Sequence, residues 1–190
     1  MPDRSKAHLG ESPAPRAQWT PSLLLVCTLH VAIIGVFASG ARAAPMANDP
    51  KGFQGVPWGA VFKESADFVL AESSGRIKGY EFKQGPPALG EAQIESMRLL
   101  TIDEKFARVV VRYQGKATHE RVIAFLEAAY GPLDRTPGQL SVGARVVHNW
   151  RGSDSDINLT FDAGRERGVI FFESRPLAPV FQDAVSDTTN

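Results

Sequence analysis

A single cysteine, Cys27, serves all 190 residues, and it sits inside the one long apolar run, so the rest of the chain can form no disulfide and offers no thiol nucleophile. Histidine is nearly as scarce: beyond residue 43 only His119 and His148 remain, on different segments and without the further ligands at fixed spacing that a zinc site needs. They read as ordinary surface or edge histidines. Charge of one sign is missing too, with 21 Lys and Arg against 21 Asp and Glu. No basic stripe stands ready for a phosphate backbone, which disfavours nucleic acid as a partner. There is no Gly-x-Ser-x-Gly elbow. The stretch at Asp154, Asp156 and Asn158 begins like a calcium loop, but Leu159 stands where such a loop needs glycine and Arg165 where it needs glutamate, so it reads as a polar turn entering a strand.

What is present in quantity is confined to the front. Residues 22–40 are apolar, follow the basic residues Arg4, Lys6 and Arg16, and close on Ala41, Arg42 and Ala43. These are the three parts of a secretory signal peptide, with cleavage expected after Ala43. The run is also about long enough for a short membrane span, so an uncleaved N-terminal anchor is the alternative. Membrane contact is expected only through residues 22–40, and only if they are retained. Either way the remainder is exported, to the periplasm or beyond. Cys27 lacks small residues before it and is followed by more of the apolar run, which argues against lipid attachment.

Removing residues 1–43 takes away four basic and two acidic side chains and leaves 17 basic against 19 acidic. About 147 residues of near-neutral charge without cross-links must be stabilised by burial, and a domain of that size buries roughly two-thirds of its unfolded surface.

After a polar lead-in at 44–52, the spacing of Val61, Phe62, Ala66, Val69 and Leu70 predicts a helix over 60–72. Strands are expected at 76–83, 92–101 and 106–113. In the last of these Ala107, Val109, Val111 and Tyr113 share one side, and Arg108 and Arg112 the other. Val122, Phe125, Leu126, Ala129 and Tyr130 form an apolar helical stripe ended by Gly131 and Pro132. Further strands are expected at 144–151, 156–162 and 168–173, and residues 175–190 as a surface tail. The order is helix then three strands, twice, at 60–113 and 118–173. The expected fold is α+β, two successive units of a helix and a three-stranded antiparallel meander packed as one domain spanning 53–174. Helices on one face would leave the other face, or an edge, open.

The opening Phe-x-Gly-x-x-Trp-Gly at Phe53, Gly55, Trp58 and Gly59, with Tyr130-Gly131 ending a helix and Trp150 in a strand, resembles a group of small exported bacterial proteins. That resemblance brings no activity with it. The tandem plan is similar in architecture to the secreted β-lactamase inhibitor protein and to the small lipoprotein of the outer-membrane barrel assembly machine, without the disulfides of the one or the lipid-anchored cysteine of the other. In the residues themselves, Trp58 reads as a staple fixing how the chain enters the following helix, Gly59 as a backbone device, and Trp150 as a core aromatic.

No cofactor is expected. The expected role is non-catalytic: an exported envelope protein that binds a protein partner, with Tyr80, Phe82, Arg108 and Arg112 on the first meander as the candidate surface. The alternatives are a carrier of a small ligand in an apolar pocket between helices and sheet, and an enzyme whose carboxylates meet only in the fold. An interaction module calls for an exposed apolar patch or open strand edge, a carrier for an enclosed cavity, and an enzyme for a cleft with converging ionisable groups.

Overall fold

Alternation of apolar and polar residues from Lys105 to Gln114 produces the longest strand of the structure, a computed structural model that describes residues 46–133 and 141–187. The expected leader, with its apolar run, lies outside the described residues. Among those residues no helix is long and apolar enough to cross a membrane.

The class is α+β. The elements are a small hairpin of β1 (Gly52–Phe53) and β2 (Val56–Pro57), then β3 (Phe68–Ser74), β4 (Ile77–Phe82), β5 (Ser96–Ile102) and β6 (Lys105–Gln114). Helix α1 (Lys116–Tyr130) follows, then β7 (Ser141–Val142), β8 (Arg145–Arg151), β9 (Ser155–Asp162), β10 (Arg167–Ser174) and helix α2 (Ala178–Asp187). Strands β3 to β10 form one antiparallel sheet in the order β3-β4-β5-β6-β10-β9-β8-β7. Every neighbour in the sheet is a neighbour in sequence except β6 and β10, which meet at its centre with Val111 opposite Ile170 and Val109 opposite Phe172.

The larger core lies on one face. Met97, Leu99, Val109, Val111, Tyr113, Ile157, Leu159, Ile170 and Phe172 are packed there beneath Val122 and Leu126 of α1 and beneath Phe53 of the hairpin. The helical stripe expected around Val122 and Leu126 therefore faces the sheet, while Glu120 and Glu127 stay exposed. The chain leaves α1 at Gly131, whose φ of 98° is easy only for glycine.

Two expectations fail. Residues 60–72 are not a helix. The first of them are tied to the start of β6, with Phe106 N–H donating to Ala60 C=O at 2.8 Å and Phe62 N–H to the preceding Glu104 C=O at 2.9 Å, and from Phe68 on the chain pairs with β4. Phe62 is then fixed among Phe68, Tyr80 and Phe106, its ring centroid 4.9, 5.1 and 5.5 Å from theirs. Tertiary packing overrides a spacing that fits a helix by coincidence, and 68–74 becomes strand β3. The first expected unit thus has no helix, and Trp58 staples none; its ring seals against Phe106 at 4.9 Å instead. The second failure is the tail. Residues 178–187 form α2, which buries Phe181 and Ala184 against Leu100, Ile102, Ala107 and Val110 on the opposite face of the sheet. That face is covered in part, not left open. Pro179 is tolerated because it stands in the first turn, where its missing N–H has no intrahelical partner to lose.

Smaller adjustments follow from the same contacts. Strand β5 begins at Ser96, because Leu89 and Ala92 close a tight bridge first. The lead-in at 46–52 is tied down: Ala47 N–H donates to Tyr130 C=O at 2.9 Å. The Asp49 carboxylate receives the N–H groups of Asp154 and Ser155 at 2.7 and 3.0 Å and the Ser153 hydroxyl at 2.8 Å.

Candidate functional site

The four residues expected as a surface do not form one. Tyr80 is buried in the main core against Phe62, and Phe82 packs on Phe68 with ring centroids 4.9 Å apart. Arg108 lies across the sheet from them. Alternation with Val109 and Val111 puts Arg108 on the face under α2, and a bulge between β5 and β6 moves Ala107, expected on the side of Val109, to that same face. There the Arg108 guanidinium sits 4.0 Å from the Phe181 ring centroid and its Nη2 is 2.7 Å from Oε1 of Glu173, its partner in the β10 register. Burial pulls the Arg108 pKa down, and Glu173 opposes the shift. Only Arg112 is exposed. Alternation along a strand placed the two arginines correctly relative to each other. It could not show that a terminal helix would cover one of them.

The hairpin half of the motif and the end of α1 border an open cleft of about 580 Å³, lined among others by Phe53, Gly55, Val56, Leu89, Phe125 and Tyr130, while Trp58 and Gly59 border a second one. Gln54 and Gly55, with φ of 47° and 82°, make the two-residue turn of the hairpin. The Phe53 ring packs on Phe172 at 4.9 Å. Trp58 Nε1 donates to Ser155 Oγ at 2.7 Å, and Trp150 Nε1 to the Gly131 carbonyl at 2.9 Å. The motif residues thus join the hairpin, α1 and β9 into one wall. Burial raises the Tyr130 pKa, so its phenol stays neutral.

A group that the sequence did not link is assembled between α1 and the sheet. Tyr113 on β6, His119 on α1, His148 on β8 and Phe161 on β9 stack together. The His119 ring lies 3.9 Å from Phe161 and 6.3 Å from His148, and its Nδ1 shares a 2.7 Å hydrogen bond with the Tyr113 hydroxyl. Burial, with the neighbouring His148, lowers the His119 pKa to about 4. Burial also lowers the His148 pKa, against the pull of Glu127, and raises that of Tyr113. A neutral imidazole accepting the phenol proton fits these shifts. The expectation of ordinary surface or edge histidines on separate elements missed that the two meet, half-buried, in one stack: β6 and β8 are distant in sequence, and only the insertion of β10 and β9 between them brings their side chains under one helix. The group lines neither this cleft nor a second of about 510 Å³ beside Trp58, Lys105 and Asp154. Among the described residues, no three of His, Cys, Asp and Glu converge as a metal set.

The segment from Val61 to Ser74 offers a different kind of site. Among the described residues the large apolar side chains that stay exposed are Val61, Val69 and Leu70, at 68, 38 and 39 %. All three fall within ten residues. Strand β3 ends the sheet on this side and only its Phe68 is even partly buried. The other end of the sheet is the two-residue strand β7.

No protein-family model, curated protein or solved structure matches this chain.

Proposed function

We propose that this chain is an exported, non-catalytic module that binds another protein of the cell envelope through the segment 61–74. The leader pattern supports export. The observation that carries the binding is the concentration of exposed Val61, Val69 and Leu70 on and beside an open edge strand. Isolated apolar residues on a surface need no explanation, but a run of them along an edge strand is what natural sheets avoid unless something pairs with that edge. The meanders β3–β6 and β7–β10, joined at β6 and β10, support reading the sheet as two related units, of which only the second carries its helix. In that arrangement the first unit is the one that keeps a long free edge.

A second reading has its own observation. The 580 Å³ cleft bordered by the hairpin and α1 has an apolar wall of Phe53, Val56, Leu89 and Phe125, large enough for a small apolar ligand.

Native mass spectrometry of the protein from the envelope of its own host separates the two. A chain starting at Ala44 together with a stoichiometric second protein is the expected result. An added small-molecule mass establishes the carrier reading instead, and a mass retaining residues 1–43 replaces cleavage with anchoring.

A further inference from the structure

The backbone of β3 is half covered by the chain itself, and the manner of that cover indicates what would replace it. In the β3–β4 ladder Val69 opposes Glu81 and Lys83 N–H donates to Asp67 C=O, so the intervening Phe68 and Leu70 turn their backbone groups away from β4. These outward groups are met by the preceding loop. The Leu70 N–H donates to Glu64 Oε1 at 3.0 Å, and the Ser65 N–H donates to the Phe68 carbonyl at 3.2 Å. An exposed carboxylate and a single loop amide thus occupy positions that a ninth strand would use. From 68 to 74 there is neither proline nor lysine, the usual blocks on an edge; the bulge between Leu70 and Glu72 and the Glu64 cap are what guard it.

We propose that β3 accepts an extended segment of another polypeptide as an added strand, that this segment displaces the Glu64 cap, and that it carries apolar residues with a lysine or arginine at its end beside Glu64. This rests on the reading of segment 61–74 as the contact surface. The apolar requirement comes from Val69 and Leu70, which project to opposite faces of the sheet, so an added strand meets an apolar neighbour on each. The charge requirement comes from what the edge leaves uncompensated. Lys63 and Lys78 approach Glu104 at 3.9 and 3.1 Å, Arg76 pairs with Asp103, and Arg98 takes Glu72 and Glu81 at 2.7 and 2.9 Å. Among the described residues the carboxylates of Glu64 and Asp67, at the start of the strand, are in no ion pair, and the nearby Lys83 Nζ is engaged by the Ser65 carbonyl at 2.8 Å. A cation brought beside them is favoured, and a second acid is repelled. A second copy of the chain is a poorer occupant, because pairing β3 with itself antiparallel puts the bulge between Leu70 and Glu72 into both strands of the new ladder.

The test uses the whole exported protein and two capped peptides of alternating valine and threonine, one ended in lysine at both termini and the other in glutamate. The lysine-ended peptide is expected to slow hydrogen exchange of the amides of residues 68–74 at least tenfold, and to bind at least tenfold more tightly than the glutamate-ended one. Glu64→Gln is expected to shrink that preference. Leu70→Pro removes an N–H that the β3–β4 ladder does not use, so it is expected to abolish peptide protection. Equal binding of the two peptides, protection at residues outside the edge, no protection by either peptide, or a dimer that forms through β3 overturns strand addition. The comparison of the two peptides on the unsubstituted protein decides even if Leu70→Pro loosens the fold. A partner seen by native mass spectrometry without peptide protection of the edge leaves the module reading standing and removes this mode of binding.

Discussion

A Cβ added at Gly168 would fall 1.9 Å from Cζ of Tyr113, its direct partner across β10 and β6. The absence of a side chain at 168 is what gives the fully buried phenol its place beneath α1. Gly168→Ala cannot be accommodated by a rotamer change, because Tyr113 is hemmed in by His119 and Phe161 as well. It is expected to cost at least about 2 kcal/mol, read from the midpoint of chemical denaturation. The effect should largely vanish in the double variant with Tyr113→Ala, which is already destabilised by its own cavity.

The same ring holds a pH dependence. His119 takes a proton at about pH 4 in the folded chain, against an ordinary value of 6.5 when unfolded. The unfolded state therefore binds more protons between those limits, and folding stability falls as pH drops from about 6.5 to about 4. His148, also shifted down by burial, adds to the loss in the same direction. Around this pair the titratable and charged groups are Tyr113 from β6 and Glu120 and Glu127 from α1. Discounted for partial exposure, the loss is on the order of 2 kcal/mol from His119. His119→Gln should flatten the pH profile of unfolding, and an unchanged slope would remove His119 as its source.

Removing Glu173 leaves the Arg108 guanidinium beneath Phe181 without its counter-charge, since its Nε already lacks a hydrogen-bond partner. Glu173→Ala is expected to destabilise by about 3 kcal/mol. The double variant Arg108→Met with Glu173→Leu should be more stable than either single change. Thermal unfolding of the three proteins measures this directly.

Phe181 anchors α2 through the same contact and through Leu100 and Val110. Phe181→Ala is expected to cost about 3 kcal/mol. It should also raise hydrogen exchange across 178–187 more than across 116–130. Equal loosening of both helices would mean that α2 is not a separately docked element.

Much of this fold was legible. Strands β4, β6, β8, β9 and β10 and helix α1 follow from period-two and helical apolar spacing, because each has one buried face that its own residues record. Helix α2 was missed although Leu177, Val180, Phe181 and Ala184 recur at helical spacing. The two prolines and the polar end hid it. Strand β3 could not be read, because an edge strand with most of its side chains exposed leaves no alternation, and Phe62, Ala66, Val69 and Leu70 fall at helical spacing by coincidence. The histidine group was out of reach for a different reason: it depends on β10 and β9 lying between β6 and β8, and no local pattern encodes that order. The exposed Val61, Val69 and Leu70 stood in the sequence as the apolar face of an expected helix, so what marks the candidate surface was assigned to a core.

A photo-reactive amino acid placed at Leu70, with a control at Lys116 on the exposed start of α1, tests the contact surface in the native envelope. Covalent adducts to a discrete envelope protein from position 70, and none from position 116, are the expected result. Adducts of equal yield from both positions, or none from position 70 while position 125 beside the cleft reacts, would contradict the assignment of segment 61–74 as the binding surface.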